Sequence, residues 1–159
     1  MNYLTYFTYD ESSPSCLVWN NPNPQGRGKG NRKHGKPVGS KAIDGWRCQV
    51  IDNGERYRFS ASRAVWQLHH GFNSIPEGHF VCTKNGDLFD VRIDNLVCVS
   101  GSEMQLFSAW KRGVENVQKL PSGSFAVQLD DVHYGTYKTY ETAAKVYREE
   151  LYKRVKHLL

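Results

Sequence analysis

Long apolar runs are missing from this chain of 159 residues. None approaches the 18 or more residues that a membrane-spanning helix needs, so a bilayer-embedded function is not expected. The Met-Asn-Tyr-Leu start has neither the basic region nor the apolar core of a signal peptide, and a cytoplasmic location is the expectation that follows. Cysteine is sparse: the four stand at 16, 48, 82 and 98 with no Cys-x-x-Cys pair, which argues against a zinc knuckle. Reduced, partly buried thiols are the plain reading. Cys82 and Cys98 fall on neighbouring expected strands, which leaves a cysteine-based metal site open. Acidic residues are the minority, 16 against 21 Lys and Arg, for a formal charge of +5. That suits an anionic partner without requiring one. At 39% hydrophobic the chain can build the core of one ordinary domain or two small ones.

What is present concentrates in residues 75–100, IPEGHFVCTKNGDLFDVRIDNLVCVS. Phe80, Val81 and Cys82 read as a short strand, and Lys84-Asn85-Gly86-Asp87 as a turn, because Asn-Gly accepts the positive φ of tight turns. Residues 90–96 suit one or two helical turns, with Asp90 as N-cap and Val91, Ile93 and Leu96 on the apolar side. A strand end, a loop and a short helix then converge. Asn85, Asp87, Asp90, Asp94 and Asn95 surround that point with oxygen donors, which suits a hard cation.

The pattern P-E-G-x-x-V-x-x-x-N-G-D-x-x-D-x-R-I-x-N-L resembles the ββα-metal motif of the HNH nucleases, in particular the small homing endonucleases of phages and introns. The resemblance implies DNA as partner, Mg²⁺ or Mn²⁺ as cofactor, and a His at the strand end as the general base that activates water. Asn85 takes the place of the loop Asn that orients the base. Asn95 takes that of the metal ligand on the helix, with Cys82 and Asp87 as further candidate ligands. Thr83 occupies the general-base position and Cys82 that of its acidic neighbour. A threonine hydroxyl cannot take a proton near neutral pH, and general-base help is worth roughly 10² to 10⁴ in rate. Cysteine is a soft ligand, poorly matched to Mg²⁺. His79 lies on the same strand face as Thr83 but about 13 Å away.

Along the chain, residues 3–10 (YLTYFTYD) read as a strand or an aromatic plug against the core, and Leu17-Val18-Trp19 as a strand after a Ser-Ser-Pro-Ser turn. Phe7, Tyr9, Asp10, Leu17 and Trp19 extend the same resemblance to the N-terminus. Residues 20–41 are polar and basic, carrying Arg27, Lys29, Arg32, Lys33, His34 and Lys36, and read either as a solvated loop or as an arm against DNA phosphates. Residues 46–59 form an expected β-hairpin turning at Asn53-Gly54, with Val50, Tyr57 and Phe59 inward. Arg47, Arg56 and Arg58 lie elsewhere, for DNA or for solubility. A helix over 63–70, capped by Ser60 or Ser62, ends at Gly71. His69 and His70 point about 100° apart and so cannot chelate one ion together.

Ser102-Glu103-Met104-Gln105 reads as a capping box opening a helix to Arg112. Residues 114–159 then give three strands and, from Thr139, a long amphipathic helix. The segments SGSFAVQL and HYGTYKTYETAAKVY resemble the plant APETALA-type DNA-binding domain, which implies a sheet in the major groove. Gln118, Lys119, Gln128 and Lys138 are its candidate base and phosphate contacts. The expected class is α+β: N-terminal strands and basic loop (1–45), an HNH-like ββα-metal domain (46–100), a linker helix (101–113), and a small three-stranded antiparallel sheet plus helix (114–159). The leading expectation is a phage DNA-binding protein of the HNH family, with metal-dependent nicking impaired by Thr83. The alternative is an inactive derivative, without metal, that regulates DNA or inhibits a host protein.

Overall fold

Short aromatic strands open the chain in the computed structural model, which describes residues 2–20, 35–52 and 54–159. The first residues do not extend the strand as expected. Asn2 caps a 3₁₀ turn, Tyr3–Tyr6, by accepting from the Leu4 N–H at 3.1 Å, and only β1 (Phe7–Tyr9) is extended. It pairs antiparallel with β2 (Leu17–Trp19), Phe7 opposite Trp19. The Phe7 ring packs on Trp19 and Phe59 at 5.0 and 5.4 Å between centroids, near the tilted geometry aromatic pairs favour.

The chain divides into two compact units, Met1–Val99 and Ser100–Leu159. In the first, β3 (Ser40–Ala42), β4 (Gly45–Asp52) and β5 (Glu55–Ser60) form an antiparallel sheet in that order. Strand alternation sends Cys48, Val50 and Phe59 into the core, and Arg47, Arg56 and Arg58 to the exposed side. Helix α1 (Ala61–His70) follows, its first turn capped by Ser60 and its end closed by Gly71 at φ 101°. Ala61, Ala64 and Val65 face the core beside Leu17, Trp19, Val91 and Leu96. Strands β6 (His79–Thr83) and β7 (Leu96–Ser100) pair with each other.

Between them the expected helix over 90–96 does not form. A single 3₁₀ turn, Ile93–Asn95, stands there, and its N-cap Arg92 makes no capping bond. Asp90, the expected cap, is held by Arg92 through Nε at 2.8 Å and Nη2 at 2.7 Å, so its carboxylate is not available to helix N–H groups.

The second unit begins with α2 (Gly101–Arg112). Its capping box is Ser100 with Glu103, two residues before the expected Ser102: the Ser100 hydroxyl accepts from the Glu103 N–H and the Glu103 carboxylate from the Ser100 N–H. Strands β8 (Val117–Lys119), β9 (Phe125–Leu129) and β10 (Val132–Tyr137) form an antiparallel sheet with β9 central. Helix α3 (Tyr140–Val155), capped by Thr139, packs on it and on α2. Val127, Ala143, Ala144, Leu151 and Val155 are its buried centre.

Candidate functional site

Strand β6 delivers Thr83 to the start of the motif loop, where it is buried at 3% exposure. The loop beyond it closes on itself through two asparagines. The Asn85 N–H donates to Asn95 Oδ1 at 3.0 Å, and Asn95 Nδ2 donates to Asn85 Oδ1 at 3.0 Å and to the Asp90 carbonyl at 2.7 Å. Asn85 Nδ2 in turn reaches Asp90 Oδ2 at 3.0 Å. The Asp87 and Phe89 N–H groups are satisfied by Asn85 and Asp87 side chains, both at 2.9 Å. Every polar atom of the Asn95 amide is thus engaged inside the loop. Asp90 sits under the Arg92 guanidinium, whose hydrogen bonds, and that from Asn85, hold its carboxyl down at about 2.

The far wall comes from the N-terminus. The Ile93 N–H donates to the Tyr9 hydroxyl at 3.2 Å, and that hydroxyl donates to Glu11 at 2.7 Å. Burial, with the Glu11 bond second, pushes the Tyr9 phenol up to about 12, so it is a neutral donor at any physiological pH. The result is an open cleft of about 240 Å³ lined by Glu11, Asn85, Asp90, Arg92, Asp94 and Asn95. With Asp90 and Arg92 cancelling, Glu11 and Asp94 leave it acidic. The sequence reading missed Tyr9 and Glu11 as part of this site, since nothing local ties them to residues so distant in the chain, Ile93 being 84 positions from Tyr9.

The three expected ligands, Cys82, Asp87 and Asn95, are poorly matched as a set to a hard divalent cation. Cys82 offers a soft thiol and Asn95 an amide already bonded on both atoms. Asp87 is exposed and already accepts the Phe89 N–H. Among the described residues no group of three or more His, Cys, Asp or Glu side chains could hold a metal ion. The histidines near the motif are placed structurally: His69 Nδ1 meets the Val65 carbonyl at 2.9 Å with its ring edge-on to Tyr9, and His70 packs on Trp66. His79 Nδ1 faces the Glu77 carbonyl at 3.1 Å. No disulfide joins the cysteines, and burial raises the Cys16 and Cys48 thiols to about 11 and about 12.

Residues 60–106 match the HNH endonuclease family model. Nucleases of that family commonly use divalent metals, and the match gives the segment nuclease and DNA-binding potential. It spans the end of β5, α1, the β6–β7 pair with its loop, and the first turns of α2. No curated protein and no solved structure matches the chain. No helix among the described residues is long and apolar enough to cross a membrane.

The expected DNA contacts divide by position. Arg27, Lys29, Arg32 and Lys33 lie outside the described residues. Lys36 is exposed. On the outer face of the β3–β4–β5 sheet, Gln49 stands opposite Arg58, Ile51 opposite Arg56, and Arg47 opposite Ser60. Arg47 is tied to Asp44 through two nitrogens, and Arg56 and Arg58 extend into solvent. In the C-terminal sheet, register puts Gln118 opposite Ala126, and Gln128 opposite His133, on one face. Lys119 alternates to the other face, so it and Gln118 cannot enter the same groove together. Lys138 follows the last strand.

Proposed function

We propose that the protein binds DNA on an HNH-derived scaffold whose phosphodiester chemistry is disabled. The observation that carries this reading is the burial of Thr83, which the motif resemblance aligns with the general base, beside a loop whose amides satisfy one another. A neutral, enclosed hydroxyl cannot activate water as imidazole does, and the loss of general-base help is worth roughly 10² to 10⁴ in rate. The acidic cleft also disfavours a phosphate at that point, whereas Arg56 and Arg58 present cations on a separate, exposed sheet face. Binding then rests on phosphate contacts at that face, with Gln118 and Gln128 as base-reading candidates in the C-terminal sheet. Ancestry in the phage homing endonucleases, and an APETALA-type role for residues 114–159, belong to the same reading and rest on the motif residues named above.

The test combines DNA binding at several salt concentrations with a supercoiled-plasmid nicking assay in Mg²⁺ or Mn²⁺. Binding that weakens steeply with salt, without nicking, is the expected result. Activity gained by Cys82→Asp combined with Thr83→His would assign the loss to those two positions. Metal-dependent nicking by the natural protein that Asn95→Ala abolishes would overturn the reading.

A further inference from the structure

The turn joining β3 to β4 carries an isoleucine where turn chemistry favours polar residues. Ala42 pairs with Gly45, so Ile43 and Asp44 form the tip, and Ile43 is 98% exposed. A fully hydrated isoleucine contributes nothing to the fold. Its support, by contrast, is firm. A Cβ at Gly45, whose φ is 112°, would lie 2.8 Å from the Leu88 carbonyl oxygen, so the turn is seated directly on the motif loop. Trp46 Nε1 donates to the Phe89 carbonyl at 3.1 Å, and the two rings meet edge-on at 6.1 Å. The Lys41 ammonium lies over both, 5.6 Å from the Trp46 ring and 5.1 Å from Phe89. Leu88, 48% exposed, adds a second apolar side chain on the loop beneath the turn.

Charge says what such a tip meets. From Gly45 along the outer sheet face, Arg47, paired with the tip residue Asp44, comes at about 7 Å, and the solvent-facing Arg58 (opposite Gln49) and Arg56 (opposite Ile51) at about 13 and 20 Å, taking 3.3 Å per residue. A polyanion lying on that row ends at Ile43. We propose that Ile43 is a wedge that inserts between base pairs of the bound duplex, unstacking one step while Arg56 and Arg58 hold the phosphates. Apolar side chains used in this way kink and unwind DNA at a cost that the added backbone contacts offset. The inference rests on the DNA-binding reading and adds to it a deformation of the ligand and the residue that makes it.

The experiment relaxes plasmid DNA with a type I topoisomerase in the presence of saturating protein, then reads the topoisomers after the protein is removed. The natural protein and Ile43→Leu should leave a shifted linking-number distribution. Ile43→Ser, at a site too exposed to disturb folding, should bind with the same salt dependence and at least halve that shift. An undiminished shift in Ile43→Ser, or binding by the natural protein with no shift, overturns the wedge and leaves DNA binding standing. Sedimentation of the free protein supplies a second readout: self-association that Ile43→Ser abolishes would make the tip a protein contact and overturn the wedge. No DNA binding at low salt would overturn the DNA reading first, a result distinct from the others.

Discussion

Replacing Asn95 by alanine separates a structural asparagine from a metal ligand. The substitution removes three hydrogen bonds, one accepted from the Asn85 N–H and two donated to Asn85 Oδ1 and the Asp90 carbonyl. At the lower end of the net value for a partly exposed bond, the loss is about 1.5 kcal/mol. For a unit of this size that corresponds to a fall in unfolding midpoint on the order of 8 °C. A metal site predicts a second effect. If the natural protein bound Mg²⁺ through Asn95, metal at about 100 times its Kd would stabilise it by about 2.7 kcal/mol, and the variant would lose that increment. The donor geometry predicts no such increment. Thermal unfolding of both proteins with and without Mg²⁺, followed by circular dichroism, should therefore show a lower midpoint for Asn95→Ala and no metal effect on either. A metal-induced rise in the natural protein that vanishes in the variant would refute the reasoning, as would a variant as stable as its parent.

Two further outcomes follow from charge. Arg56→Ala and Arg58→Ala should each lower the slope of log affinity against log salt by about 1, with little change in fold, because each removes one exposed cation from the sheet; slopes identical to the parent's would remove this face from the interface. Glu103, held down at about 2 by the Ser100 N–H first, then the Ser100 hydroxyl and His157, has its folded value below the usual one. Its stabilisation is therefore complete above the ordinary carboxylate range and is lost as pH falls from about 4.5 towards 2. Denaturant titrations across that window should show Glu103→Gln with a flatter pH dependence than its parent. Near neutrality Ser100→Ala, which removes the cap, should cost about 1 kcal/mol.

The parts of the fold that were legible in the sequence are those set by local periodicity. Alternation in β4 and β5 put Val50, Tyr57 and Phe59 on one side and the arginines on the other, and the glycines after His70 and Arg112 marked helix ends because each takes a positive φ. The motif loop was not legible in the same way. Val91, Ile93 and Leu96 carry helix-like spacing, but Asp90 is bound by Arg92 and Asn95 bonds back to Asn85, ten residues earlier. These side chain to side chain bonds outcompete the few backbone bonds that so short a helix would form, whose nucleus is costly. The edge strand β3 was missed too, since Ser40-Lys41-Ala42 has little strand propensity and is extended because β4 offers it a partner.

The same loop also explains why motif residues can outlast the chemistry they resemble. Asn85 and Asn95 fix the backbone of residues 84–95, and that backbone presents the Leu88 and Phe89 carbonyls that seat Gly45 and Trp46. The asparagine clamp is therefore required for the position of the β3–β4 turn whether or not water is ever activated beside it. A general base contributes only to the reaction, so a threonine in its place, as the proposed reading has Thr83, leaves the clamp and the turn intact. Loss of the clamp would release the seat of Gly45 and Trp46. On the proposed DNA-binding reading, the loop keeps its shape because the β3–β4 turn is built on it, and the residue at its entrance is free to change.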